Sequence, residues 1–519
     1  MSNYPFYEFL NDGTVSNYVL DSRQARDLEK IYLSGNGYTL MQYASSKIFI
    51  KLLDIIHDKE AKIKVYAGHG NNGGDGYEVA ALLLGAGYSN VVVYPVLDQK
   101  VGIAANDARR NFLLKGGKEK YSFTEQENND VDYIIDAILG LGVCNDSSGK
   151  NADNFEKIIA AVDEINASTA TVISIDVPTL LNSDNGMTTY GEAVEADYTI
   201  TVFALKTGLL LGVAKDYCGE IFVVADDLDE FVKSMNSVML ASNDRCCLLT
   251  YDKLKEILPY RPKCAHKGTN GKVLTVGGNY GYTGALALAS NAALRTGAGL
   301  VCALFLASRE ESKAPTDLSV MTCDRNEIAN RLAWCNSVVV GPGYGRNEED
   351  YELIEACVLS KKSLVIDADA LWQINKHGLM FDADNKVVVT PHLGEAAMLC
   401  GIKPEQISEN PLYYAKCISS AYNCVCVLKS STTVITDGYD SFYIYNGGSS
   451  GMASGGMGDM LSGIIGTLLA QGYSAMNAAM LGVVIHGEAG RMDEEKNGPI
   501  GMSASDLIPY IRLLINGRT

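Results

Sequence analysis

KIKVYAGHGNNGGDGYEVAALLLGAGYSNVVV, residues 62–93, decides the fold. Ile63, Val65 and Ala67 alternate with Lys62, Lys64 and Tyr66, the two-residue period of a strand. The chain then enters Gly68-His69-Gly70-Asn71-Asn72-Gly73-Gly74-Asp75-Gly76, after which Val79, Leu82 and Leu83 carry a helix that Gly85 to Gly87 end. Val91-Val92-Val93 opens another strand, so the stretch reads as strand, glycine loop, helix, strand: a βαβ unit with an anion-binding turn. The loop matches neither GxGxxG nor a Walker A sequence, which needs a Gly-Lys-Ser/Thr ending. Five glycines beside two asparagines exceed what a simple turn requires.

Working outward, Tyr133-Ile134-Ile135-Asp136 and Val172-Ile173-Ser174-Ile175-Asp176 each end an apolar strand in a carboxylate. Strand carboxyl ends form the ligand crevice of an open parallel sheet, so Asp136 and Asp176 are expected to converge near the Asn71 to Asp75 loop. Either acid alone could serve only to cap the next helix. Upstream, helical spacing runs from Asp21 through Ala25, Leu28, Ile31 and Tyr32, and again from about Leu40.

The alternation resumes after a charged, irregular join between Asp226 and about Pro262. At 519 residues the chain exceeds what one core usually supports, which predicts two domains, 1–236 and 237–519. In the second, strands are expected at Lys272 to Gly277, Ser337 to Gly341, Ser363 to Ile366, Val387 to Thr390 and Val425 to Leu428. Several end in small or polar residues: Gly341-Pro342-Gly343, Asp367-Ala368-Asp369 and Thr390-Pro391-His392. One rim is thereby marked as the active side. Lys429 ends a strand and could meet a nucleotide, or simply be solvated; His392 could bind ligand or cap a helix. Finally GMASGGMGDMLSG, residues 451–463, delivers Asp459 to the first turn of a helix carried by Leu461, Ile464, Ile465, Leu468 and Leu469. Asp459 there either caps the helix or removes a proton beside an anion cradle.

The formal charge of -19 and pI near 4.8 argue against nucleic acid or an anionic membrane as a general partner. Thirteen scattered cysteines, without paired CxxC spacing, read as reduced thiols. With no basic-then-apolar start, the expected location is the cytoplasm.

The motifs GHGNNGGDGYEVA, IIDAILGLG and IDVPTLLNSDNG resemble those of NAD(P)H-hydrate epimerases over roughly residues 21–226. That resemblance implies a potassium ion held by Asn72, Asp136 and Thr179. It also implies hydrate binding by Asn71, Asn72, Gly73, Gly74 and Asp75, and by Gly140, Leu141, Gly142, Val143, Cys144, Asn145 and Asp146. Asp176 would be the acid/base group at C6. Where the family has DIPSGLD this chain has DVPTLLN, with Thr179 for serine, Leu180 for glycine and Asn182 for aspartate.

HKGTNGKVLTVGG, GPGYG, VIDADAL, TPHLGE, VLKSSTTVI and GMASGGMGDMLSG resemble the ADP/ATP-dependent NAD(P)H-hydrate dehydratases over about residues 262–515. This second resemblance implies contacts from Ala285, Gly343, His392 and Asp459 to the hydrate. Lys429, Ser430, Ser431, Thr432, Thr433 and Gly458 would hold ADP or ATP with Mg²⁺. Met457 replaces the usual threonine of GGTGD. The expected fold is α/β in two domains, an N-terminal Rossmann-like three-layer sandwich and a C-terminal ribokinase-like α/β domain. The expected function is repair of hydrated NADH and NADPH (NADHX and NADPHX) by a homo-oligomer. The alternative is a small-molecule kinase for a vitamin precursor or sugar, with a non-catalytic N-terminal binding domain.

Overall fold

The computed structural model describes residues 17–32, 37–97, 103–121, 130–141, 152–224, 229–308, 317–382 and 386–518. It divides into units Met1–Cys246 and Cys247–Thr519.

The first unit carries α1 (Ser22–Tyr32), α2 (Gly37–Ile55), β1 (Ile63–Ala67), α3 (Asn71–Gly85), β2 (Val91–Pro95), α4 (Ile103–Leu114) and β3 (Lys118–Glu119). There follow β4 (Tyr133–Ala137), α5 (Ala152–Asn166), β5 (Thr171–Ile175), β6 (Tyr198–Val202), β7 (Glu220–Val224) and α6 (Asp229–Ala241). The sheet runs β3-β2-β1-β4-β5-β6-β7, all parallel. Its order turns back at β1, so a crevice opens between the carboxyl ends of β1 and β4. Val65, Ile135, Ile173 and Ile200 from the strands pack with Val79, Ala80 and Leu83 of α3 and with Ile48 and Leu52 of α2.

The expected break at 236/237 falls inside α6. Phe231, Met235 and Val238 of that helix bury against Ala25 and Leu28 of α1, and the Tyr32 and Phe231 rings meet edge-on at 5.2 Å. An apolar stripe packed on α1 keeps a charged-looking segment with the first unit.

The second unit contains β8 (Lys272–Gly277), α7 (Thr283–Thr296), β9 (Leu300–Phe305), β10 (Met321–Cys323), β11 (Ser337–Val340), β12 (Ser363–Ile366), α8 (Asp369–His377), β13 (Val387–Val389) and α9 (Leu393–Cys400). It continues with β14 (Val425–Leu428), β15 (Thr433–Thr436), β16 (Ser441–Tyr445), α10 (Met457–Ala470) and α11 (Ala475–Asn497). Strands run β10-β9-β8-β11-β12-β13-β14-β15-β16, parallel as far as β14, after which β15 and β16 are antiparallel.

Helix α10 is buried along nearly its whole length, and its glycines explain how. A Cβ on Gly463 would lie 2.1 Å from the Ala289 carbonyl oxygen of α7, and one on Gly466 would lie 2.2 Å from Val339 Cγ2 of β11. The two glycines let α10 sit between helix and sheet at backbone distance. No helix among the described residues is long and apolar enough to cross a membrane.

Gly463→Ala should therefore destabilise the second unit by about 1–3 kcal/mol through overpacking. Gly455→Ala, where an added Cβ meets nothing within 4 Å, should be close to neutral. Thermal melting of the two variants checks this, with a fall of about 2–4 °C expected per kcal/mol.

Candidate active sites

In the first unit, Asp136 lies in β4 with no exposed surface. Its carboxylate accepts from the Thr179 amide at 2.9 Å, the Thr179 hydroxyl at 2.7 Å, the Ser174 hydroxyl at 2.9 Å and the Ile138 amide at 3.2 Å. Burial nevertheless pushes its carboxyl above the ordinary value, against those bonds. Asp176 follows β5 in a left-handed conformation, φ 68°. Its carboxylate takes a short hydrogen bond and ion pair from the buried Lys206 ammonium and another bond from the Thr201 hydroxyl at 3.2 Å. Lys206 also donates to Thr201 Oγ1 at 2.8 Å and to the Val202 carbonyl at 2.7 Å, which uses its three protons.

The residues expected in a glycine loop belong instead to the first turns of α3, which starts at Asn71 with Gly70 as its N-cap. The glycine run reflects close packing. A Cβ on Gly73 would meet the Gly68 carbonyl at 2.0 Å, and one on Gly76 the Ala137 Cβ at 2.6 Å. The positive end of α3 is thus drawn down onto the sheet. A Cβ on Gly140 would lie 3.3 Å from Asp176 Oδ2 and 3.4 Å from Asn72 Cβ, so Asn72, Gly140 and Asp176 converge. Both polar atoms of the Asn72 amide are buried without a hydrogen-bond partner. Asp75 accepts from Ser45 at 3.1 Å, and burial holds its carboxyl well above the usual range. Gly142, Val143, Cys144, Asn145 and Asp146 lie outside the described residues.

Leu180, in the place of a family glycine, adopts φ 71°. A left-handed Leu costs about 1–2 kcal/mol. Its side chain is 2% exposed, and that burial offsets the strain by about 1.5–3 kcal/mol.

In the second unit the site gathers at the carboxyl ends of β12, β13 and β14, facing the first turn of α10. Lys429 Nζ lies 2.9 Å from Asp367 Oδ1, and Ser462 Oγ donates to Asp367 Oδ2 at 2.5 Å. Burial would raise Asp367, but Lys429 and Ser462 outweigh it and hold the carboxyl below its ordinary value. A Cβ on Gly458 would lie 3.3 Å from Lys429 Nζ, which places the ammonium beside the α10 amides. Asp459 stands in that turn, and burial together with the Asp367 charge pushes its pKa to about 7 against the pull of Lys429. Burial likewise pushes Glu395 to about 7.

His392 caps α9: its Nδ1 accepts from Gly394 at 3.0 Å and Glu395 at 3.2 Å, while Nε2 lies in a side chain 60% exposed. Nε2 lies 3.4 Å from Glu395 Oε1, so both ring nitrogens face the first turn of α9. Ala285 and Gly343 adjoin, since a Cβ on Gly343 would lie 3.2 Å from Ala285 Cβ. Asp369 stands apart from this group, ordering the glycine turn through Gly345 N at 3.0 Å and Arg346 Nε at 3.1 Å. Ser430 to Thr432 form the tight connection from β14 to β15, with Thr433 opening β15. Ser174, Ser462 and Glu395 carry roles that the motifs alone do not assign, although TPHLGE contains Glu395; Lys206 lies in the family-like run VFALKTG, which does not reveal its ion pair with Asp176.

A profile of the NAD(P)H-hydrate dehydratase family matches residues 273–513, and one described as YjeF-related protein N-terminus matches residues 37–208. The bifunctional NAD(P)H-hydrate repair enzyme of Escherichia coli K12 is 35% identical over 457 residues, 87% of this chain and 84% of that protein. The one from Coxiella burnetii is 34% identical over 511 residues, 96% of this chain and 99% of that protein. An ADP/ATP-dependent NAD(P)H-hydrate dehydratase of Bacillus subtilis, crystallised with ATP and Mg²⁺, aligns with a TM-score of 0.47 at 23% identity, over 52% of this chain and 97% of that one. Identity above 30% along nearly the full length of such relatives means that the chain belongs to the family of bifunctional NAD(P)H-hydrate repair enzymes.

Proposed function

We propose that the first unit interconverts the R and S hydrates of NADH and NADPH and that the second dehydrates the S hydrate at the expense of ADP or ATP. The observation that carries this reading is Asp459, a carboxyl with a pKa of about 7 in the first turn of a buried helix, with Lys429 alongside. A general base is most effective when its pKa lies near the operating pH.

Asp459 accepts the proton of the C6 hydroxyl as that oxygen attacks the terminal phosphate of the nucleotide. Lys429 and the amides of the first turn of α10 stabilise the charge that gathers on the phosphoryl group. The phosphate ester at C6 then leaves with its electron pair, assisted by the lone pair of the ring nitrogen, and a proton lost from C5 restores the double bond. Mg²⁺ would arrive with the nucleotide phosphates, where it would neutralise developing charge; among the described residues no cluster of three carboxylate, imidazole or thiol groups forms a metal site of its own. Ala285, Gly343 and His392 would line the hydrate, and Lys429 to Thr433 with Gly458 the nucleotide.

In the first unit the unpartnered Asn72 amide oxygen, the buried Asp136 carboxylate and Thr179 suit a potassium ion, which would keep Asp136 ionised and brace the turn after β5. Asp176 would act on C6. Free thiols such as Cys302, Cys357 and Cys426 and the acidic charge favour the cytoplasm.

Hydrated NADH incubated with nucleotide should regain NADH absorbance as phosphate is released; a stable phosphorylated product without NADH would instead support the kinase alternative. Asp459→Asn should lower dehydration by about 10²–10⁴-fold and leave epimerisation intact, while Asp176→Asn does the reverse. Equal loss of both activities in either variant would contradict separate sites. Because Asp459 must be ionised to accept a proton, dehydration should rise with pH through about 7 and level off above it. Exchange of potassium for a bulky organic cation should slow epimerisation while dehydration continues, and Asn72→Ala should remove that dependence on potassium.

A further inference from the structure

Helix α1 (Ser22–Tyr32) lies ahead of the matched segment 37–208, yet it reaches the site of the first unit. The Arg26 guanidinium donates to the Leu141 carbonyl at 2.9 Å, which sets α1 over the Gly140–Leu141 rim. Gly140 is the residue packed against Asp176 Oδ2. Glu29 stands one turn beyond Arg26, next to buried Leu28 and one turn from buried Ala25, so it projects from the inward side of the helix. It is half-buried, and burial pushes its carboxyl above the ordinary value. The charges acting on it are Lys206 first, then Asp176, Arg26 and Lys30, and Glu29 in turn acts on Asp75. Lys206 is committed through all three protons to Asp176, Thr201 and Val202 and has none left for Glu29.

We infer that Glu29 is a second catalytic residue of epimerisation, meeting the C6 hydroxyl from the α1 side while the salt-bridged Asp176 works from the end of β5. The inference rests on the epimerase reading of this unit. In its acid form Glu29 gives its proton to the C6 hydroxyl. The C6–O bond breaks, water leaves with that electron pair, and the ring nitrogen lone pair closes an N1=C6 bond. A water then adds to the other face of C6, the π pair returns to nitrogen, and Asp176 takes the proton released by the added water. Glu29 ends ionised and Asp176 protonated; exchange with solvent, or a turnover in the reverse sense, resets both.

The test uses the full chain and separated R and S hydrates. Glu29→Gln should lower kcat for epimerisation by about 100-fold or more, with KM changed less than threefold. Glu29→Asp, which keeps the acid, should retain a tenth or more of the activity. Wild-type epimerisation should fall as the pH rises through the raised Glu29 value, and the residual activity of Glu29→Gln should lack that limb. Dehydration of the S hydrate, carried by the other unit, should be unchanged in both variants and reports that the chain is folded. Wild-type epimerisation by Glu29→Gln, or a loss confined to KM, would overturn the inference. A wild-type chain that fails to interconvert the hydrates would overturn the epimerase reading itself, and Glu29 with it.

Discussion

A lysine buried against a strand-end aspartate organises each of the two sites. In the first unit it is Lys206 on Asp176; in the second it is Lys429 on Asp367. An ion pair withdrawn from water is retained only when its geometry is good and its remaining valences are met, and removal of one partner costs about 3–5 kcal/mol because the other is left charged and buried. Lys206 meets that condition through Thr201 and Val202, and Asp367 through Ser462. Each pair fixes a charge at the carboxyl edge of a parallel sheet, where a ligand enters. The neighbouring carboxyls respond to that fixed charge: Asp459 is poised near neutrality by burial and Asp367, with Lys429 limiting the rise.

Close packing of glycine helices supplies the other half of each site. Gly73 and Gly76 bring the start of α3 onto β1 and β4, and Gly463 and Gly466 bring α10 between α7 and β11. Both helices then present first-turn amides beside the aspartates, a favourable setting for the phosphates of a dinucleotide or nucleotide. Met457 is buried in the first turn of α10, and a different side chain there leaves the backbone donors of that turn in place.

Much of this was legible in the sequence because parallel sheets put their chemistry in a regular place. Asp136, Asp176, Asp367, His392 and Lys429 were recognisable as strand ends, and Asp459 as the head of an apolar helix. The glycine runs were read as ligand cradles, whereas several of these glycines are demanded by carbonyls and side chains far away in sequence, and α3 begins at Asn71 in consequence. Sequence periodicity carries no record of such contacts. The same holds for Lys206, Ser462 and Glu29, whose importance comes from what lies across from them, and for the left-handed Asp176, which β6 holds through the Ile200 carbonyl at 2.8 Å. The expected break at 236/237 and the unit edge at 246/247 differ because the apolar stripe of α6 shows its purpose only against α1.

Two sites on one chain make chemical sense when the second accepts one epimer and the first supplies it. The most direct measurement is the fate of the R hydrate of NADH, given alone to the full chain with nucleotide and Mg²⁺. The account predicts full recovery of NADH absorbance with one phosphate released per NADH formed, and arrest at the R hydrate when Asp176 is changed to Asn. Recovery of NADH from the R hydrate by the Asp176→Asn chain at the wild-type rate, or phosphate release without NADH, would contradict it.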